Sequence, residues 1–140
     1  MRYAILHFTM DNHNLKQVFD ENPDIQALLK DFEKAKLELL AIEPFRKGSI
    51  LKRWQTCRKS TCLCKKDKTF HNWPYFSWTL KHKQKTVSIV IPEEFLTQAN
   101  HYIQNARSVE RTIQKLSDIS EKIVQKQIQL TRQFLKNSKI

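Results

Sequence analysis

Three cysteines and a histidine, Cys57, Cys62, Cys64 and His71, sit close together in the run CRKSTCLCKKDKTFH. Three thiolates and an imidazole are the soft N/S donors that tetrahedral zinc prefers, and four protein ligands make a closed, structural site. The spacing is not that of paired CxxC halves: four residues separate Cys57 from Cys62, and one separates Cys62 from Cys64. His71 is expected as the fourth ligand by proximity, with His82, beyond the next strand, as the alternative. A Cys57–Cys62 disulfide is the competing reading. An odd number of cysteines, no hydrophobic leader in MRYAILHF and a lysine-rich composition point instead to a reducing, cytoplasmic setting. Reactive thiols are a further alternative, because neighbouring cations lower a thiol pKa, but no paired base accompanies them. With every metal position filled by protein, the expectation is a non-enzymatic site.

The same stretch carries the charge. Between Arg46 and Lys85 stand 12 Lys and Arg against Asp67 alone, a balance of +11, whereas the rest of the chain holds 13 bases and 13 acids. An excess confined to one segment is the electrostatic footprint of a polyanion partner. Lys52, Arg53, Arg58, Lys59, Lys65, Lys66, Lys68, Lys81, Lys83 and Lys85 are the candidate nucleic-acid contacts. Trp54, Trp73, Tyr75 and Trp78 are interleaved with them as candidate stacking surfaces, although Trp78, like Phe76, also suits a core. One glycine in 140 residues argues against an all-β fold and against a glycine-rich phosphate loop. No apolar run reaches membrane-spanning length.

The elements that position these residues follow from periodicity. Residues 1–22 read poorly: Tyr3 to Phe8 suits a strand or a helix start, and Leu15, Val18 and Phe19 suggest a helical turn before Pro23. The pattern predicts an amphipathic helix from an Asp24 N-cap to about Ile42 within a 23–45 segment, its stripe formed by Ile25, Leu28, Leu29, Phe32, Ala35, Leu39 and Leu40. In the 46–92 module, SILKRWQ, WPYFSWTLK and KTVSIVI read as three strands, the last two joined as a hairpin. Alternation predicts Phe76, Trp78 and Leu80 against a helix, with Tyr75, Ser77 and Thr79 on the opposite face. From Pro92 the 93–140 segment has no glycine or proline. It predicts a long helix with a stripe at Phe95, Ala99, Tyr102, Ile103, Ala106, Val109, Ile113, Leu116, Ile119, Ile123, Leu130 and Phe134. Such a stripe calls for the shorter helix, for a second chain in a coiled coil, or for a bend near Asn105 to Ser108 into a helical hairpin.

The run from Gly48 to Phe95 resembles an uncharacterised prokaryotic cysteine-rich domain family. The shared features are Gly48 and Ser49, Cys57, Cys62 and Cys64, His71 shortly before Pro74 and Tyr75, the hairpin, and a long helix opened by Pro92. Where members of that family carry glycine after the first cysteine and before Pro-Tyr, this chain has Arg58 and Asn72-Trp73. The resemblance implies a knuckle-and-hairpin module and an association with mobile elements, without an established activity.

The sequence therefore predicts an α+β protein: an N-terminal helix, a three-stranded antiparallel sheet with a Cys3His zinc knuckle, and a long C-terminal helix. The expected function is a zinc-stabilised nucleic-acid-binding accessory module, for DNA rather than RNA, associating as a homodimer or with a helical partner and with no membrane. The alternative is a coiled-coil assembly protein that does not bind nucleic acid.

Overall fold

A computed structural model of the chain describes residues 14–67, 70 and 73–139. It has the α+β architecture expected: helix α1 (Pro23–Leu40), strands β1 (Ser49–Trp54), β2 (Pro74–His82) and β3 (Lys85–Ile91), and helix α2 (Leu96–Asn137). Residues 14–21 are also helical, in line with the turn expected there, while the Tyr3 to Phe8 segment lies outside the described residues. The chain divides into two compact units. One is the described part of Met1–Ile42 and Val109–Ile140, and the other is Glu43–Ser108. Helix α2 contributes to both and runs unbroken for 42 residues, so residues 105–108, where a bend was one expectation, are helical.

In the helical unit, α1 begins two residues earlier than its sequence pattern suggests. Asn22, not Asp24, is the N-cap: its side-chain oxygen accepts from the backbone N–H groups of Asp24 and Ile25 at 3.0 and 3.1 Å. Pro23 then occupies the first helical position, where a missing N–H costs nothing and φ is already helical. Ion pairs of 2.9 Å join Asp24 to Lys126 and Glu38 to Lys115, so α1 runs antiparallel to the second half of α2. Ile25 and Ala35 are fully buried. On α2 the buried stripe runs through Val109 and Thr112, while Ile113 is 54% exposed. At about 100° per residue, Thr112 falls on the same arc as Leu116, Ile123 and Leu130, and Ile113 falls at its border. Hydrophobicity alone selected the wrong one of two adjacent positions.

The other unit is a sheet of order β1-β2-β3, antiparallel throughout. Ile50 lies opposite Trp78 on one side, and Ile89 lies opposite it on the other. Phe76 and Trp78 face the first turns of α2, as alternation predicts, and the core is Trp78, Ile91, Ala99 and Ile103 with Ile50, Phe76, Leu96 and Tyr102 around it. Ala99 and Ala106 are buried with almost no exposure, since small side chains let the helix backbone approach the sheet.

Trp78 also fixes the entry to the sheet. Its indole N–H donates to the Lys47 carbonyl at 3.0 Å, and the Arg46 guanidinium lies 4.5 Å over its ring. Between Lys47 and β1 the chain must turn at Gly48, whose φ is +116° and where a Cβ would collide with the Thr79 carbonyl. Only glycine fits there. Upstream, the His101 imidazole meets the Glu43 carboxylate at 2.9 Å, and the Asn105 amide donates to the Pro44 carbonyl at 2.9 Å, which straps residues 43–46 along α2 within this unit. The β2–β3 connection is a two-residue turn, Lys83 and Gln84, both at positive φ (48° and 65°). That is the conformation of a type I′ hairpin, adopted here without the usual glycine.

Candidate metal centre and basic sheet

The cysteines lie on the loop that leaves β1 and returns to β2. Trp54 pairs with Pro74, and the Gln55 N–H donates to the Trp73 carbonyl at 3.2 Å, so the ends of residues 56–72 are held together. A loop of this length normally needs packing of its own. Its apolar side chains do not supply it: Leu63 is 60% exposed and Phe70 43% exposed. Among the described residues of the loop, only Cys64 is buried, and only Cys57 and Cys62 are half-buried. The thiols are the interior of the loop's described part.

Backbone turns bring them together. The Cys62 N–H donates to the Lys59 carbonyl, and a short 3₁₀ turn, Leu63–Lys65, starts from Cys62 and points Cys64 inward. Lys65 ties the first strand of the loop to this turn, since its ammonium donates to the Cys57 carbonyl and, at 3.3 Å, to the Thr56 hydroxyl. The Cys57 and Cys64 sulfurs are 3.3 Å apart, too far for a disulfide, and all three cysteines are free. The three sulfurs lie within 4.8 Å of one another. Tetrahedral zinc with bonds of about 2.3 Å sets its sulfurs roughly 3.8 Å apart, so the cluster fits a metal with only small adjustments. Three cysteines so placed can hold a metal ion. Burial pushes the Cys64 thiol up, and the neighbouring Cys57 side chain raises it further. A buried, raised thiol is the opposite of a poised nucleophile.

Of the two candidate fourth ligands, His82 is not in the cluster that the three sulfurs form. It sits at the hairpin end of β2, eight residues beyond Pro74, or roughly 27 Å at strand rise, whereas the cysteine loop springs from the Pro74 end. His71 lies outside the described residues, as does Lys68.

The basic residues of the sequence analysis separate into groups once the register is known. Lys52, Arg53, Arg58, Lys59, Lys65, Lys66, Lys81, Lys83 and Lys85 are all exposed. Arg58, Lys59, Lys65 and Lys66 stand on the cysteine loop, although Lys65 has its ammonium occupied by the loop backbone. Lys52 and Lys85 lie on the helix-covered face of the sheet by alternation, with Lys52 reaching 5.4 Å from the Trp54 ring. Arg53 and Lys81 lie on the opposite face, and Lys83 is in the hairpin turn. The aromatics sort likewise. Trp78 is core, 2% exposed, so its stacking role is withdrawn. Trp54 shares the helix side, and Tyr75 belongs to the open face with Trp73, which is 75% exposed. Sequence reasoning missed Arg46 as a structural residue, because nothing local links it to a tryptophan far along the chain.

Comparison with protein families, with curated proteins and with solved structures finds no match for this chain.

Proposed function

We propose that this protein is a nucleic-acid-binding accessory module, for DNA rather than RNA, whose cysteine loop is stapled by a structural zinc ion. The observation that carries this reading is the coincidence of a thiol-lined loop with exposed cations: Cys64 is buried, and Arg58, Lys59 and Lys66 on the same loop are exposed. Cys57, Cys62 and Cys64 would hold the metal. His71 is its fourth ligand in this reading, being three residues from Pro74, where the loop returns to the sheet. When bound, zinc supplies a cross-link that replaces the missing apolar core of the loop. Elemental analysis of the purified protein is the test: one zinc per chain, with a melting temperature that falls on chelation and recovers on zinc addition. Protein that melts identically with and without zinc would remove the metal from the account. The resemblance of the Gly48 to Phe95 segment to a mobile-element-associated family suggests the setting in which such a module would work.

A second reading, assembly through the long helix, is favoured by one specific feature. Ile113, Val124, Ile128 and Leu135 are 46–54% exposed, and at about 100° per residue they fall within one arc of α2 beside the stripe that faces α1. A homodimer or a helical partner would cover that arc, and sedimentation at micromolar concentration distinguishes a dimer from a monomer. The two readings are compatible, since they use different units.

A further inference from the structure

The sheet packs one face on α2; the opposite face, open among the described residues at Trp73, Val90 and Leu51, combines stacking surface, cationic ends and a level floor. Antiparallel partners project to the same side. The register therefore puts Leu51 and Arg53 of β1, Tyr75, Ser77, Thr79 and Lys81 of β2, and Thr86, Ser88 and Val90 of β3 together. The Gln55–Trp73 hydrogen bond continues that register by one pair and adds Trp73 to the same side. Trp73 is 75% exposed, Val90 70% and Leu51 46%. A tryptophan left almost bare is unusual for a residue that is highly buried on average.

The floor between the two ends is low. Ser77 is 3% exposed in the middle of the sheet, and the Thr79 hydroxyl is 2.7 Å from that of Ser88. These small hydroxyls satisfy one another and rise little above the backbone. Trp73 and Tyr75, two residues apart on one strand, are separated by roughly 6.8 Å. That is about twice the rise per base of a nucleic-acid strand, so neighbouring unstacked bases can each find a ring. Arg53 lies directly across from Tyr75, and Lys81 stands six residues further along the same strand, on the same face. No carboxylate among the described residues pairs with Arg53 or Lys81.

We infer that this open face binds single-stranded DNA, with Trp73 and Tyr75 stacking on successive bases and Arg53 and Lys81 neutralising the backbone at either end. This rests on the nucleic-acid reading above and narrows it to one strand, one face and four residues. A duplex hides its base faces in the stack, whereas a single strand can present them to the rings of Trp73 and Tyr75. Thr79 and Ser88 are engaged with each other, so the face has little to read a ribose 2′-hydroxyl, and deoxyribose strands suffice.

The test uses the full zinc-loaded chain and fluorescence anisotropy with a labelled dT oligonucleotide of about 12 nucleotides, within the span of a small stacking groove. A uridine RNA oligonucleotide of equal length and a mixed-sequence duplex serve as the other probes. Trp73→Ala and Tyr75→Ala should each weaken dT binding about 5- to 100-fold, while Trp73→Phe and Tyr75→Phe keep most of it. Duplex binding should change less than about twofold for all four, because its affinity comes from phosphate contacts. Near-UV circular dichroism of each variant establishes that the fold is retained, and the phenylalanine variants keep the test valid if an alanine variant is not. Equal, salt-sensitive dT binding in wild type and alanine variants would overturn the stacking face while leaving a nucleic-acid-binding module standing. RNA bound more tightly than dT would overturn the DNA assignment. Failure of all three probes to bind at low salt would remove the nucleic-acid reading itself.

Discussion

The two units of this chain treat the same charged side chains in opposite ways. In the helical unit, Lys126 and Lys115 on α2 each meet a carboxylate on α1 at 2.9 Å, and Lys36 meets Glu33 on the same helix at 3.3 Å. Its 12 Lys and Arg stand against 10 Asp and Glu, leaving +2. In the sheet unit, Glu43–Ser108, 13 Lys and Arg stand against 4 Asp and Glu, leaving +9. Charge in the first unit joins two helices. Charge in the second covers a small sheet and a cysteine loop with unbalanced positive potential, which works against compaction and which the proposed function assigns to a polyanion partner. The contrast teaches that net charge is uninformative until it is assigned to a structural unit.

The largest effect that would expose this difference is in the sheet unit's core. Trp78 is at once the centre of the hydrophobic cluster, the donor to Lys47 and the platform for Arg46. Trp78→Ala should cost about 3–5 kcal/mol in denaturant unfolding, whereas Ile113→Ala on the exposed arc of α2 should cost less than about 0.5 kcal/mol. Equal losses would mean that the sheet unit does not depend on this one side chain.

A smaller effect of opposite sign is expected at the hairpin. Lys83 and Gln84 both hold the left-handed conformation, which disfavours residues bearing a Cβ by roughly 1–2 kcal/mol each. Replacing them with Asn-Gly should stabilise the protein by about 1 kcal/mol. An unchanged or lowered unfolding midpoint would show that the turn is not strained as its backbone angles imply.

The sequence made much of this legible, for identifiable reasons. The three strands and the inward face of β2 followed from alternation because Phe76 and Trp78 pack on a helix while Ser77 and Thr79 do not. The cysteine cluster was legible because its three thiols lie within eight residues of sequence, from Cys57 to Cys64. Two things were not. The N-cap was misplaced because Asp24 and Asn22 are both good caps, and only the hydrogen bonds from Asp24 and Ile25 to Asn22 decide between them. The choice of fourth ligand was ambiguous because sequence distance does not say which end of β2 the loop leaves from; the Trp54–Pro74 pairing does, and His82 lies at the other end of that strand.

The smallest expected effect belongs to the paired charges of the helical unit. The hydrogen bond from Lys115 holds the Glu38 carboxyl below the ordinary glutamate range, and the charge of Lys115 adds to it. A carboxyl whose folded pKa is depressed adds stability above its unfolded value, about 4.3, and that stability is lost as the pH falls from there through the lower folded value. Glu38→Gln should therefore make unfolding less pH-dependent below about pH 4.3 and leave it almost unchanged at neutral pH in high salt, since the pair is exposed and screened. An equally steep acid limb in the variant would show that this pair is not felt.

The central claim, that the sheet unit's charge exists to meet nucleic acid, is tested most directly by the salt dependence of DNA binding. Arg58 and Lys59 on the cysteine loop are exposed, and Lys136 and Lys139 near the end of α2 carry equal formal charge in the other unit. Neutralising Arg58 and Lys59 to Gln should reduce the slope of log affinity against log salt by about 0.9 per phosphate contact on duplex DNA, or about 0.7 on a single strand. The Lys136→Gln, Lys139→Gln pair should leave that slope unchanged. Equal slopes in both double variants, or no binding to either form of DNA at low salt, would contradict the account.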